Sequence, residues 1–148
     1  MPTIFNVVYY ILSKSGRITT MKLQKLAYYC QAWSLAWDEE PLFEEDFQAW
    51  ANGPVSPTLY NKHRGSFVVN FGDFEEYSGY EFTGDQIETI KNVFGFYADK
   101  DPHWLSELIH KEDPWILARG NTPLGEPSST LITKESMQNY YSGLIFNE

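Results

Sequence analysis

The stretch TMKLQKLAYYCQAWSLAW (Thr20–Trp37) constrains the fold more than any other. Leu23, Leu26, Ala27, Cys30, Trp33, Ser34 and Trp37 recur at the i, i+3, i+4, i+7 spacing of one helical face. The neighbouring faces carry Tyr28, Tyr29, Ala32, Leu35 and Ala36. A helix apolar on most sides needs other elements on most sides. The spacing therefore predicts a central helix over about 20–37, with the remaining chain packed around it. Thr19 or Thr20 is placed to cap its start, and Asp38 to Pro41 ends it.

The rest reads as short helices and a small β element. Ile4, Phe5, Val8, Tyr9 and Leu12 predict a first helix over about 3–15, stopped by Gly16. Phe47, Ala49 and Ala51 alternate with Gln48, Trp50 and Asn52, which predicts a short extended segment broken by Gly53-Pro54. Ser56 is a natural N-cap with Pro57 at the first helical position, where a missing N–H costs nothing. The segment 66–82 mixes β-branched and aromatic residues with turn signals, and predicts a small hairpin. Thr83 with Gln86 is a capping box, Asp101-Pro102 opens a further helix, Pro114 opens another turn through Arg119, and Thr133 caps a last helix. Residues 119–130 are rich in Gly, Pro and polar side chains, hence a loop. The fold class is mainly α (α+β): one domain over residues 1–148, a helical bundle with a small β element or hairpin within about 46–82.

Composition narrows the function. The formal net charge is -9, from eleven basic and twenty acidic residues, which argues against a broad face for polyanionic nucleic acid. Ten Tyr, ten Phe and five Trp suit a rigid core and an adhesive surface. The single cysteine, Cys30, has no partner for an internal disulfide and points to a reducing compartment, the cytoplasm. No run approaches the ~18 apolar residues that a membrane span needs.

Motifs for catalysis are weak. There is no G-x-S-x-G elbow and no phosphate-cradling G-x-x-x-x-G-K. Cys30 lies on the apolar stripe, as a structural thiol does. His103, Glu107 and His110 fall at i, i+4 and i+7, and Glu107 with His110 spells the E-x-x-H of di-iron bundles. Such sites need a second copy plus further carboxylates. The acidic runs, Asp38 to Asp46 and Asp73 with Glu75 and Glu76, read as solvated loops, with attraction of a basic partner second. Lys62, His63 and Arg64 end a short helix, where cations meet the negative end of the helix dipole. No cofactor and no metal is expected, and the chain is not read as an enzyme.

Four segments carry a resemblance. They are K-L-Q-K-L-x-Y-x-x-Q-x-W (Lys22–Trp33), P-L-F (Pro41–Phe43), A-W-x-x-G-P-V-x-P-x-x-Y (Ala49–Tyr60), and L-S-E-L-x-H (Leu105–His110) followed by Pro114-Trp115. In this order they resemble the Panacea domain family, which includes SocA-like antitoxins and phage-associated proteins. Two positions depart from its pattern: Ile109 stands where Thr is frequent, and Asn52 where an aromatic is frequent. The segment Phe71–Phe82 lies outside it. The resemblance implies a bacterial antitoxin that neutralises a cognate protein toxin, encoded next to it, by direct binding. It also leaves open an adaptor that delivers the toxin to a protease. From the residues alone, a hydrolase using His110 with a carboxylate is the remaining alternative. Candidate partner-binding residues are Trp50, Tyr60, Lys62, Arg64, Glu75, Glu76 and Trp115. Homo-oligomerisation is left open. The corner Ala49–Gly65 reads as scaffold, with recognition assigned to Tyr60, Lys62, Arg64 and the acidic segment beside it.

Overall fold

Helix α1 (Ile4–Ser15) opens with a capping box between Thr3 and Asn6 and stops at Gly16. Strand β1 (Ile18–Thr19) follows. Helix α2 (Thr20–Trp37) then runs through the centre, with Thr19 accepting from the Lys22 N–H as its cap. The computed structural model describes residues 1–146. The chain continues as β2 (Phe47–Trp50), β3 (Gly53–Val55), α3 (Pro57–His63), β4 (Val68–Val69) and a 3₁₀ segment, Phe71–Tyr77. It ends with α4 (Gly84–Tyr97), α5 (Pro102–Ile109), α6 (Asp113–Arg119), β5 (Leu131–Ile132) and α7 (Lys134–Phe146).

The predicted central helix is central. Residues 23–32 of α2 are all buried, because α1, α4, α5, α7 and β3 pack on its different sides. That leaves no solvated face for its polar residues, so they bond inward. Gln31 donates from Nε2 to the Phe43 carbonyl at 2.7 Å and accepts the Leu42 N–H at 2.7 Å. Two turns earlier, Gln24 accepts the Ser56 N–H at 2.9 Å and donates to the Ser56 carbonyl at 3.3 Å. One helix thus clamps two loops through two amide side chains seven residues apart.

Two features differ from the sequence reading. Gly53-Pro54 does not break the extended segment; it starts the returning strand β3, with Trp50 opposite Gly53 and Ala49 opposite Pro54. The sheet order is β3-β2-β5, so β3 is an edge, where a proline's missing N–H is tolerated. The predicted hairpin is absent from 66–82. There β4 pairs with the distant β1, and Asn70 with Asp73 forms a capping box that starts the 3₁₀ segment instead. Its Phe74 and Tyr77 rings stack on Phe5 of α1, at 6.4 and 4.7 Å. Helix packing, absent from the local pattern, decides that segment.

Candidate functional site

The corner Ala49–Gly65 folds against the start of α2. The Gln24 clamp fixes Ser56, whose Oγ accepts the Leu59 N–H and caps α3. The amide orientation of Gln24 is set by Ser56, so its Nε2 donates again to His63 Nε2 at 3.1 Å. His63 is therefore a neutral imidazole protonated on Nδ1, and burial lowers its pKa. Between α2, the β2–β3 hairpin, α3 and residues 125–129 lies an open cavity of about 640 Å³. Its walls include Met21, Trp50, Pro54, Val55 and Tyr60. The Trp50 and Tyr60 rings meet edge to face at 5.0 Å.

Lys25 lines the same cavity and is only 3% exposed. Burial pushes its pKa down to about 8, and no carboxylate lifts it. Arg119 is also buried, and three carbonyls satisfy it: Ala49 at 3.0 Å, Pro123 at 2.9 Å and Glu126 at 2.8 Å. Its guanidinium lies 4.9 Å from the Trp115 ring centre. Trp115 donates its indole N–H to the Trp50 carbonyl at 2.9 Å and stacks on His110 at 4.2 Å. Burial, then the charges of Lys25 and Arg119, depress His110, so its ring is neutral at neutral pH. His110 Nε2 is buried without a hydrogen-bond partner among the described residues. The interior behind the corner is thus electropositive in a chain of net charge -9.

The structure brings some predicted residues together and separates others. Trp50 and Tyr60 share the cavity wall, and Trp115, at 3% exposure, packs behind it. Lys62 pairs with Glu76 at 2.9 Å on the adjoining surface, its ammonium 5.9 Å from the Phe74 and Tyr77 ring centres. Arg64 ends α3 exposed, and Glu75 is exposed on the 3₁₀ segment. His103 and Glu107 pair on the surface at 3.1 Å, apart from the stacked His110. Among the described residues no group of three His, Cys, Asp or Glu could hold a metal ion. Of the two departing positions, Ile109 is buried in the core, while Asn52 lines the cavity and its carbonyl accepts from Ser106 Oγ at 3.2 Å.

Two buried groups went unnoticed in the sequence. One is Lys25, although a helix apolar on most sides leaves no solvated face for a lysine there. The other is Glu112, whose Oε1 accepts from Tyr29 at 2.7 Å and Tyr141 at 2.8 Å, tying α2 and α7 to the start of α6. Burial raises Glu112 to about 6 even though both tyrosine bonds lower it. Its partners are 83 and 29 residues away, which no local pattern reveals.

The clamped corner, the central helix and the α5–α6 turn are the parts that the four sequence segments encode. A family model for the antitoxin SocA-like, Panacea domain matches residues 23–116. The chain belongs to that family. The matched stretch holds Gln24, Lys25, the hairpin, α3, His110 and Trp115; Thr20, Met21 and the 125–129 loop complete the cavity from outside it. Searches of curated proteins and of solved structures found no match.

Proposed function

We propose that this chain is an antitoxin that neutralises a protein toxin by binding it directly, without catalysis. The observation that carries the reading is an open cavity with aromatic walls in the corner that marks the family. One exposed apolar side chain is on its wall, and two more belong to residues joined to its rim through the backbone. Met21 is on its wall, Phe67 at 75% exposure bonds to its rim through the Thr20 N–H, and Leu124 at 81% exposure adjoins Gly125. Exposed apolar groups beside an aromatic-walled concavity are a feature of protein-binding surfaces. Tyr60 continues this face toward Lys62 and Arg64, so the cavity mouth and the predicted surface form one candidate interface.

Binding also accounts for how the polar groups are used. Ser56 Oγ is engaged as a helix cap, and His63 Nε2 accepts from Gln24. The buried free thiol of Cys30, its pKa raised by burial, fits a chain at work in the cytoplasm. No helix among the described residues is long and apolar enough to cross a membrane.

The test is co-expression with each reading frame adjacent to the gene. A neighbour that arrests growth alone and is silenced by this chain supports the reading. His110→Ala should silence it equally well while folded; loss of rescue with an intact fold would favour the hydrolase instead. No rescue by a soluble chain from any toxic neighbour would remove the proposal.

A further inference from the structure

Among the described residues, four of the Lys, Arg, His, Asp and Glu side chains are buried: Lys25, His63, Glu112 and Arg119. Gln24 answers His63, two tyrosines answer Glu112, and three carbonyls answer Arg119. No described protein group answers Lys25. Its ammonium makes no hydrogen bond and no ion pair among the described residues, yet its side chain lines the corner cavity. Methionine or leucine would fill that position without the cost of partly desolvating an ammonium at a cavity wall.

Gly53 keeps that ammonium uncovered. A Cβ there would stand 3.6 Å from Lys25 Cε and 3.9 Å from Nζ, filling the space beside the charge. Its φ of +133° is also a conformation that side-chain-bearing residues rarely adopt. Arg119 adds positive charge nearby, because it and Lys25 both act on His110. The complement of this spot is an anion. One ammonium matches one negative charge, which favours a carboxylate over a phosphate dianion, whose second charge would stay uncompensated. The remaining wall is largely apolar, and the volume lies in the range of small-ligand sites.

We propose that the corner cavity binds a carboxylate carried on an apolar or aromatic body, with Lys25 pairing with the carboxylate and Trp50 and Tyr60 holding the body. Such a group occurs on free aromatic acids and at the C-terminal residue of a polypeptide. The site shares the cavity whose mouth is proposed to meet the toxin, but the probes below test it in the absence of any toxin, so either reading can fail without the other.

Two pairs of probes separate these sources: 3-indolepropionate against its amide, and N-acetylglycylphenylalanine against its C-terminal amide. Each is titrated into the full chain and followed by amide and indole NMR. The acid of at least one pair should shift Lys25, Gly53 and the Trp50 indole saturably, about 10-fold or more tighter than its amide. The pair that responds identifies the source. Lys25→Met should abolish the acid preference, and Lys111→Met, an exposed control, should retain it. The wild-type comparison decides by itself: no binding of either acid at about 10 mM, or equal binding of acid and amide in both pairs, overturns the proposal.

Discussion

Replacing Lys25 by methionine should make the protein more stable. Methionine follows the lysine stem without its charge, so the surrounding helices need not move. The lysine pKa falls from 10.5 to about 8 on folding. At about 1.4 kcal/mol per pH unit, the folded state then carries roughly 3 kcal/mol of penalty at neutral pH. The unfolded chain keeps its proton up to 10.5, whereas the folded chain releases it near 8. Between those values the unfolded state binds more protons, so raising the pH favours folding of the wild type. Lys25→Met should therefore exceed the wild type by up to about 3 kcal/mol at pH 7, or ~6–12 °C in Tm for a chain of this size. The advantage should shrink below about 1 kcal/mol at pH 10. Urea unfolding of both proteins at the two pH values measures it, and titrations common to both cancel in the difference. A variant less stable than wild type at pH 7, or an advantage unchanged at pH 10, would show that Lys25 carries no such penalty. A residue whose removal stabilises the fold yet abolishes carboxylate binding is one retained for function.

Other substitutions test the frame around the site. Gln31→Met leaves the Leu42 N–H and the Phe43 carbonyl unpaired, and should cost about 2–5 kcal/mol in urea unfolding. Gly53→Ala imposes a side chain at φ +133° and should cost about 1–3 kcal/mol, read from the unfolding midpoint, while weakening the acid probes. Glu112 titrates near 4.5 unfolded and near 6 folded, so the native state holds the extra proton in that window and stability falls as pH rises through it. Relative to Glu112→Gln, the wild type should lose about 2 kcal/mol between pH 4 and pH 7; a flat difference across that range would contradict the assignment.

What the sequence made legible was local. Thr19, Ser56-Pro57, Thr83 with Gln86, and Asp101-Pro102 mark their helix starts because a cap bonds within three residues of itself. The apolar excess of Thr20–Trp37 identifies the central helix because period and burial coincide there. The 3₁₀ segment was misread because its aromatic rings, strand-like in composition, are spent on α1. Strand β5, just past the predicted polar loop, was not marked, since its place beside β2 depends on a partner more than 80 residues away. Trp50 and Tyr60 were found as candidates from their chemistry; Lys25, which gives their cavity its charge, becomes visible only once every side of α2 is occupied.

Neutralisation by direct binding is read most plainly from the amount and state of the toxin in rescued cells. Sequestration predicts that a silenced toxin persists at an undiminished level with an unchanged half-life, and elutes with this chain as one stoichiometric complex. Rescue accompanied by disappearance of the toxin, or by free intact toxin with no complex, would contradict it.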